Sequence, residues 1–514
     1  MAPIRVGIIH PDLGIGGAER LVVDAALGLQ QAGYEVKIYT SHHDPAHAFE
    51  ETKNGTLSVE HVSSWFPRNI FGRFHIVFAI LSQLQLTTHI LNESRSEEPT
   101  VCDVYMVDQL SASIPLLRAG LGRRVVYYCH FPDKLLSEGK AASSDGKTQG
   151  SLLKRLYRFP ADWLEEFTTK RADVILANSK FTAGIFKAAF PSISVTPRVV
   201  YPGINITAYE TLVEPSEEEL GEIFDVITYP TLLSLNRIEG KKNLNLAIET
   251  FANVRTEVAS QGIVKFEKPL RLVIGGGFDP RLSDNINTLT KLLELCATLG
   301  LSTYIASTSP LPASLSHLEN FKTHSRSHAA SNVTFLLNFT QAQRSALLQS
   351  KDTIALLYTP TNEHFGIGPV EGMICGLPVI ACESGGPTES VISFPSPSAS
   401  SPPSSLASLD PKPTGFLCAP NSEAFSAAVI AILKLSPADR AAVAEAAKAR
   451  AKANFGMQSM TSALEKVLRE AMDMGKMTAF MEPWHIDERT FNIVHAFITV
   501  LAIIACVLIY FEYL

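Results

Sequence analysis

The sequence predicts an α/β protein of two doubly wound, Rossmann-like domains, with a membrane-anchor helix near its C-terminus. Three observations predict it. Apolar β-branched runs alternate with helical stretches through almost the whole chain, the pattern of βα units around a parallel sheet. The alternation falls into two series that meet near residues 205–225. Phe491–Tyr510 is then twenty residues without a formal charge, about the length of a bilayer-spanning helix.

In the first series, "IRVGIIH" reads as a strand, "PDLGIGGAE" as a turn and "RLVVDAALGLQQAG" as a helix. Strands follow at "YEVKIYTS", "CDVYMVDQ", "RVVYYCHF", "DVILANS" and "PRVVYPG". The second series runs through "TLLSLNR", "LRLVIGGG", "NVTFLLN", "TIALLYTP" and "PVIACES". The Ser/Pro-rich stretch 394–413 reads as a solvated, disordered insertion. A helix is expected from Met457 to about Met474. Residues 69–91 are ambiguous: Phe74, Val77, Phe78, Leu81 and Leu84 mark one helical face. Core packing and in-plane membrane contact remain open for that face, and six polar residues make a full span the weaker reading.

At 514 residues and 46% hydrophobic, the chain has room for two or more cores. Its net charge of −7 gives no support for nucleic-acid binding. Seven scattered cysteines without a C-x-x-C read as reduced thiols rather than a disulfide or zinc framework. Arg489 and Lys476 precede the apolar C-terminal segment and no Lys or Arg follows it, which places the large N-terminal part in the cytosol. The sequons at Asn332 and Asn338 lie in or beside strand-like runs, where a glycan would block folding, and a cytosolic body avoids that conflict.

The stretch "EHFGIGPVE" sets Glu363 and Glu371 eight positions apart around a Gly366-Ile367-Gly368 turn. Free amides of a turn that opens a helix, with the helix dipole behind them, suit an anion. Pro369 fits the first helical position and Gly376 the stop. Carboxylates suit hydroxyl pairs instead. A nucleotide-sugar meets both demands, although Glu371 also fits half of a capping box. Arg237 and Lys242 in "LNRIEGKKN" follow a strand and supply cations for a diphosphate. The first turn carries Gly14, Gly16 and Gly17, in a spacing that is not G-x-G-x-x-G. His130 in "YYCHFPD" ends a strand, and its structural and functional readings weigh equally.

Taken together, "PDLGIGGAERLVVDAA", "VDQLSASIPLL", "CHFPDKLL", "LANSKFTA", "SLNRIEGKKNLNLAIE", "IGGGFDPR", "EHFGIGPVEGMICGLPVIACESGGPTE" and "PTGFL" resemble the retaining GT-B glycosyltransferases. Within them the sequence resembles more closely still the eukaryotic dolichyl-diphosphooligosaccharide α-1,3/α-1,6-mannosyltransferases, over residues 4 to about 470. Asn205 departs from the family's frequent Asp, and the insertion is a second departure.

The resemblance implies a GT-B fold whose two domains face a cleft. It implies an acceptor-side domain over 1–210, a nucleotide-sugar domain over 211–455, a helix over 456–480 crossing back to the first domain, and an anchor over 491–511. GDP-mannose is the implied donor, with no cofactor and no metal, and the sequence has no Asp-x-Asp. Gly16, Gly17, Arg237, Lys242, Phe365, Gly366, Ile367, Gly368 and Glu371 would contact the donor, and Glu363 and His130 would be catalytic. The implied acceptor is a dolichyl-diphosphate-linked oligosaccharide at the cytosolic face of the endoplasmic reticulum membrane. Other early-pathway mannosyltransferases are the implied protein partners. A transferase for another nucleotide-sugar or glycolipid, and an inactive membrane scaffold, are the competing readings.

Overall fold

In a computed structural model, the described residues are 3–70, 74–96, 101–137, 152–210, 226–262, 266–307, 331–395 and 410–475. The chain divides into two compact units, one running to Gly203 and resuming at Met457, the other Ile204–Gly456.

The first unit holds β1 (Arg5–His10), β2 (Glu35–Thr40), β3 (Ser58–His61), β4 (Val104–Asp108), β5 (Arg124–Cys129), β6 (Val174–Ala177) and β7 (Arg198–Val199). They form one parallel sheet in the order β3-β2-β1-β4-β5-β6-β7. The order reverses between β1 and β4, and such a switch point is where doubly wound sheets bind ligands, beyond the strands' carboxyl ends. β4 is buried at all five positions, as a strand covered on both faces should be. The helices Gly17–Gln31 and Met457–Asp473 pack on this sheet through Val22, Leu29, Leu464 and Leu468. Gly28 lets them approach, since a Cβ there would overlap Thr461.

The second unit holds β8 (Thr231–Leu235), β9 (Arg271–Gly276), β10 (Thr303–Ser307), β11 (Val333–Leu337), β12 (Thr353–Tyr358), β13 (Val379–Cys382) and β14 (Gly415–Cys418). Their order is β10-β11-β9-β8-β12-β13-β14, again all parallel, with the reversal between β8 and β12. Its core joins β8, β9 and β11 to the helices Leu244–Gln261, Ser283–Thr298 and Ser422–Leu433.

Three strands were not foreseen: β3, β10 and β14. Each is short, and β3 is wholly half-buried or exposed at a sheet edge, so no apolar run marks it. The ambiguous segment forms the helix His75–Glu93. Its buried positions are Val77, Ile80, Gln83, Leu86, Thr87 and Ile90, so the core stripe is rotated from the one read off the sequence. Gln83 and Thr87 enter it because Gln83 Nε2 donates to the Leu110 carbonyl at 2.7 Å and Thr87 Oγ1 to that of Gln83 at 2.7 Å. Among the described residues no helix is long and apolar enough to cross a membrane. The anchor expected at 491–511 and most of the insertion, 396–409, lie outside the described residues.

Candidate active site

In the second unit the site is assembled at the carboxyl ends of β8 and β12. β12 ends at Tyr358, and the loop after it carries Glu363 into the helix Ile367–Ile374. Gly366 caps that helix at φ 84°, ψ 92°, and a Cβ there would also meet Tyr358 Oη at 3.0 Å. Only glycine meets both conditions without strain. The helix begins two residues earlier than Pro369 suggested, so Pro369 is its third residue, where a backbone N–H would still be unpaired. Gly376 at φ 79° ends it, with Gly376 N donating to the Met373 carbonyl and Leu377 N to that of Gly372, both at 2.9 Å. The Gly386 amide braces the loop from the other side, donating to the Glu363 carbonyl at 2.8 Å.

Lys242, at the end of the turn after β8, places Nζ 2.5 Å from Glu363 Oε2, with the two side chains 12% and 23% exposed. Burial, the largest influence on Glu363, favours its neutral form. The charge and hydrogen bond of Lys242 outweigh it, with His364 and Lys241 adding to them, and the carboxyl is held below the usual range. Arg237 is 64% exposed and pairs with Glu239 at 3.0 Å, which Lys241 shares at 3.2 Å. The loop thus carries three cations, Lys242 paired with Glu363 and Arg237 and Lys241 paired with Glu239.

Glu371 is held by side chains of its own unit. It does not cap its helix. Tyr209 Oη donates to Oε1 at 2.7 Å and the Arg344 guanidinium pairs with Oε2, leaving the carboxylate 5% exposed. Phe365 turns its ring inward against Phe455, 5.6 Å between centroids, so the core holds its side chain and only its backbone belongs to the turn.

In the first unit, three neighbouring strands of the switch point deliver one polar chain. His10 ends β1, Asp108 ends β4 and His130 follows β5. Asp108 Oδ2 lies 2.6 Å from His10 Nδ1, and Asp108 Oδ1 lies 2.8 Å from His130 Nε2. Burial pulls Asp108 up, but the charge of His130 and hydrogen bonds from both rings hold it down at about 2. As an ionised carboxylate it only accepts, so His130 carries a proton on Nε2. Burial opposes charging of His10 as well. Asp108 outweighs it, helped by the Glu19 carboxylate 3.9 Å from Nε2, and His10 is raised to about 9.

Gly16 precedes the helix Gly17–Gln31, and the space about Gly17's Cα is open. A Cβ at Gly16 would collide with Glu19, whose carboxylate already lies at this turn. The loop after His130 is fixed by Glu165, which accepts from the Asp133 and Lys134 amides at 2.7 and 3.1 Å. Burial and the Asp133 charge push Glu165 up to about 8.

His10, Asp108, Tyr209 and Arg344 were not among the residues singled out from sequence. The first two end apolar strands, which is the signal that drew attention to His130. Tyr209 and Arg344 carry no comparable signal. Among the described residues one group, Glu60, His89 and Glu93, has metal-ligand geometry, but Lys37 pairs with both carboxylates and supplies the cation there.

Residues 15–208 match the family described as Glycosyltransferase Family 4, and residues 225–450 match Glycosyl transferases group 1. Among solved structures, sucrose-phosphate synthase from Thermosynechococcus elongatus superposes at a TM-score of 0.64 with 16% identity, over 92% of this chain and 100% of that one. Anabaena HepE in complex with UDP and glucose gives 0.57 and 18%, over 91% and 100%. At that identity the likeness shows the GT-B fold alone. The curated relatives are nearer. An α-1,3/1,6-mannosyltransferase ALG2 of Rhizomucor pusillus is 44% identical over 391 residues, 76% of this chain and 78% of that protein. The ALG2 of Homo sapiens is 37% identical over 468 residues, 90% and 95% of the two chains, and that of Saccharomyces cerevisiae 39% over 76% and 71%. With this identity across most of both chains, and both glycosyltransferase domains in order, the chain belongs to the α-1,3/1,6-mannosyltransferase family of GT-B glycosyltransferases.

Proposed function

We propose that the protein transfers two mannoses from GDP-mannose, through α-1,3 and α-1,6 linkages and with retention, to mannosyl-di-N-acetylglucosaminyl-diphosphodolichol. The transfer takes place at the cytosolic face of the endoplasmic reticulum membrane, in the assembly of the N-glycan precursor. The observation that carries this reading is the Lys242–Glu363 pair beside the Gly366–Gly368 turn, in a chain of this family.

The charges divide the labour. Arg237, Lys242 and the amides of the turn meet the diphosphate, and they stabilise it most as negative charge grows on the leaving group. Glu363, held ionised, accepts from donor-sugar hydroxyls. Glu371 receives the ribose, in exchange for the Tyr209 hydroxyl that occupies Oε1 in this structure. His130, with its proton fixed on Nε2 by Asp108, offers Nδ1 as an acceptor toward a sugar hydroxyl. No side chain is placed as a covalent nucleophile in this scheme. The diphosphate leaves from the face that the acceptor hydroxyl attacks and takes up its proton.

Donor competition tests the reading. With a one-mannose lipid acceptor, unlabelled GDP-mannose should displace transfer from radiolabelled GDP-mannose, and UDP-glucose or UDP-N-acetylglucosamine at equal concentration should not. Equal displacement by a UDP-sugar would overturn the donor assignment.

A further inference from the structure

Beyond the carboxyl ends of β1, β2 and β3 the first unit contains a second feature, an open pocket of about 370 Å³. That is within the ~300–1,000 Å³ typical of ligand sites. Asp12 enters it from the loop after β1, His42 from that after β2, and His61 and Arg68 from β3 and beyond, with His75 on the first turn of the helix His75–Glu93. The wall has one carboxylate against one guanidinium and three imidazoles. Arg68 pairs with Asp12, yet its side chain is 66% exposed, so part of its planar fork faces solvent. Four serines complete the polar wall, ordered by Ser64 Oγ to Ser82 Oγ at 2.6 Å and by Ser41 Oγ donating to the Ser82 carbonyl at 3.2 Å. The rim is apolar: Phe66 and Phe78 line the pocket, and Trp65, beside Phe66, is 86% exposed.

Each part of this composition has a chemical reason. Guanidinium, imidazole and hydroxyl groups can all donate to phosphate oxygens, and the Asp12 carboxylate engages only the Arg68 fork among them. An indole left in water beside the mouth fits the edge of a lipid surface, where an apolar ring and a polar tip are both satisfied. The pocket lies on the ligand-bearing edge of the same sheet that presents Gly17 and His130. Arg237, Lys242, Glu363 and Glu371, which the proposed function gives to the donor, belong to the other sheet and have no part in it.

We propose that this pocket is the diphosphate subsite for the lipid-linked acceptor, with Arg68, His42 and His61 as the phosphate-binding side chains. The assignment rests on the proposed function for the acceptor's identity. It goes further by naming which residues hold the linkage between glycan and lipid. The same chemistry could serve an anionic lipid headgroup, and the test separates the two sources.

The test uses the full chain in detergent with two acceptors that share glycan and phytanyl chain, one joined by diphosphate and one by an uncharged ether. Arg68→Gln, which loses one charge-assisted contact, and the double variant His42→Ala/His61→Ala, which loses two imidazole donors, should each raise KM for the diphosphate acceptor by about tenfold or more. KM for GDP-mannose, and KM for the uncharged acceptor, should not move. With GDP saturating the donor site, inorganic diphosphate should bind the wild type by calorimetry and bind both variants more weakly. An equal change for both acceptors, or none for either, would overturn the assignment. Loss of binding to phosphatidylserine vesicles with KM unchanged would also overturn it and give the pocket to a headgroup. If the wild type used neither acceptor, the proposed function would fall, and the calorimetry would still decide whether the pocket takes a diphosphate. Thermal melting checks that the variants fold, and the single Arg68→Gln change at an exposed side chain keeps the test open if the double variant does not.

Discussion

Tyr209 donates its hydroxyl to Glu371 Oε1 across 2.7 Å, while Arg344 holds the carboxylate's other oxygen. The carboxylate assigned to the donor's ribose thus has a resident partner, from the short helix Thr207–Glu210. A ribose can reach it only by displacing that phenol.

Tyr209→Phe removes the competitor. GDP should then bind about three- to tenfold more tightly, because a hydrogen bond to a charged group no longer has to be broken first. Isothermal calorimetry with GDP measures this. Weaker binding would show that Tyr209 assists the nucleotide rather than excluding it.

Lys242 and Glu363 separate folding from catalysis. Lys242→Met leaves a mostly buried carboxylate without its cation and should cost about 2–3 kcal/mol in urea unfolding, below the fully buried range because Glu363 is partly exposed. The double variant Lys242→Met/Glu363→Gln should recover most of that stability and none of the transfer. Recovery of turnover in the double variant would mean that the pair is structural only.

The two glycine turns should respond in opposite ways. Gly366→Ala places a Cβ at φ 84° and against Tyr358, and should destabilise the second unit by roughly 1–3 kcal/mol. Gly17→Ala meets no atom within 4 Å, so melting should stay within a degree or two while transfer falls as the new methyl keeps the donor away. Differential scanning calorimetry beside an initial-rate assay reads both.

The His10–Asp108–His130 chain makes stability depend on pH with a definite sign. His10 is raised in the fold from 6.5 to about 9, so its contribution is complete below pH 6.5 and is lost as pH rises through 9. The groups facing it are Asp108 and Glu19, with His130 beyond Asp108. Asp108, lowered to about 2, stays ionised across that window and adds no slope of its own. The first unit should lose on the order of 2–3 kcal/mol between pH 6.5 and 9.5. Asp108→Asn should flatten that slope, since His10 then stays neutral in the fold. Urea titrations at the two pH values measure it.

The strands that were legible are those buried on both faces, such as β4 and β12, where the apolar run is unbroken. β3 and β10 were not, because these sheet-edge strands are only partly buried and carry polar residues, so no unbroken apolar run marks them. β14 spans four residues directly after the Ser/Pro stretch and leaves no period to read. Glu363, Lys242 and His130 were legible because each stands in a short motif at a strand's carboxyl end. His10 and Asp108 satisfy the same positional rule but only become a unit once β1, β4 and β5 are seen as neighbours. Tyr209 and Arg344 reach Glu371 from 162 and 27 residues away, and no local spacing encodes contacts of that kind.

The most direct measurement of the central claim is the mass of the lipid-linked product after the purified chain is incubated with GDP-mannose and a synthetic one-mannose acceptor. The expected result is a gain of two hexoses with the wild type, and none with a Glu363→Ala variant that melts as the wild type does. A folded Glu363→Ala protein that still adds two hexoses, or a wild type that adds none, would contradict it.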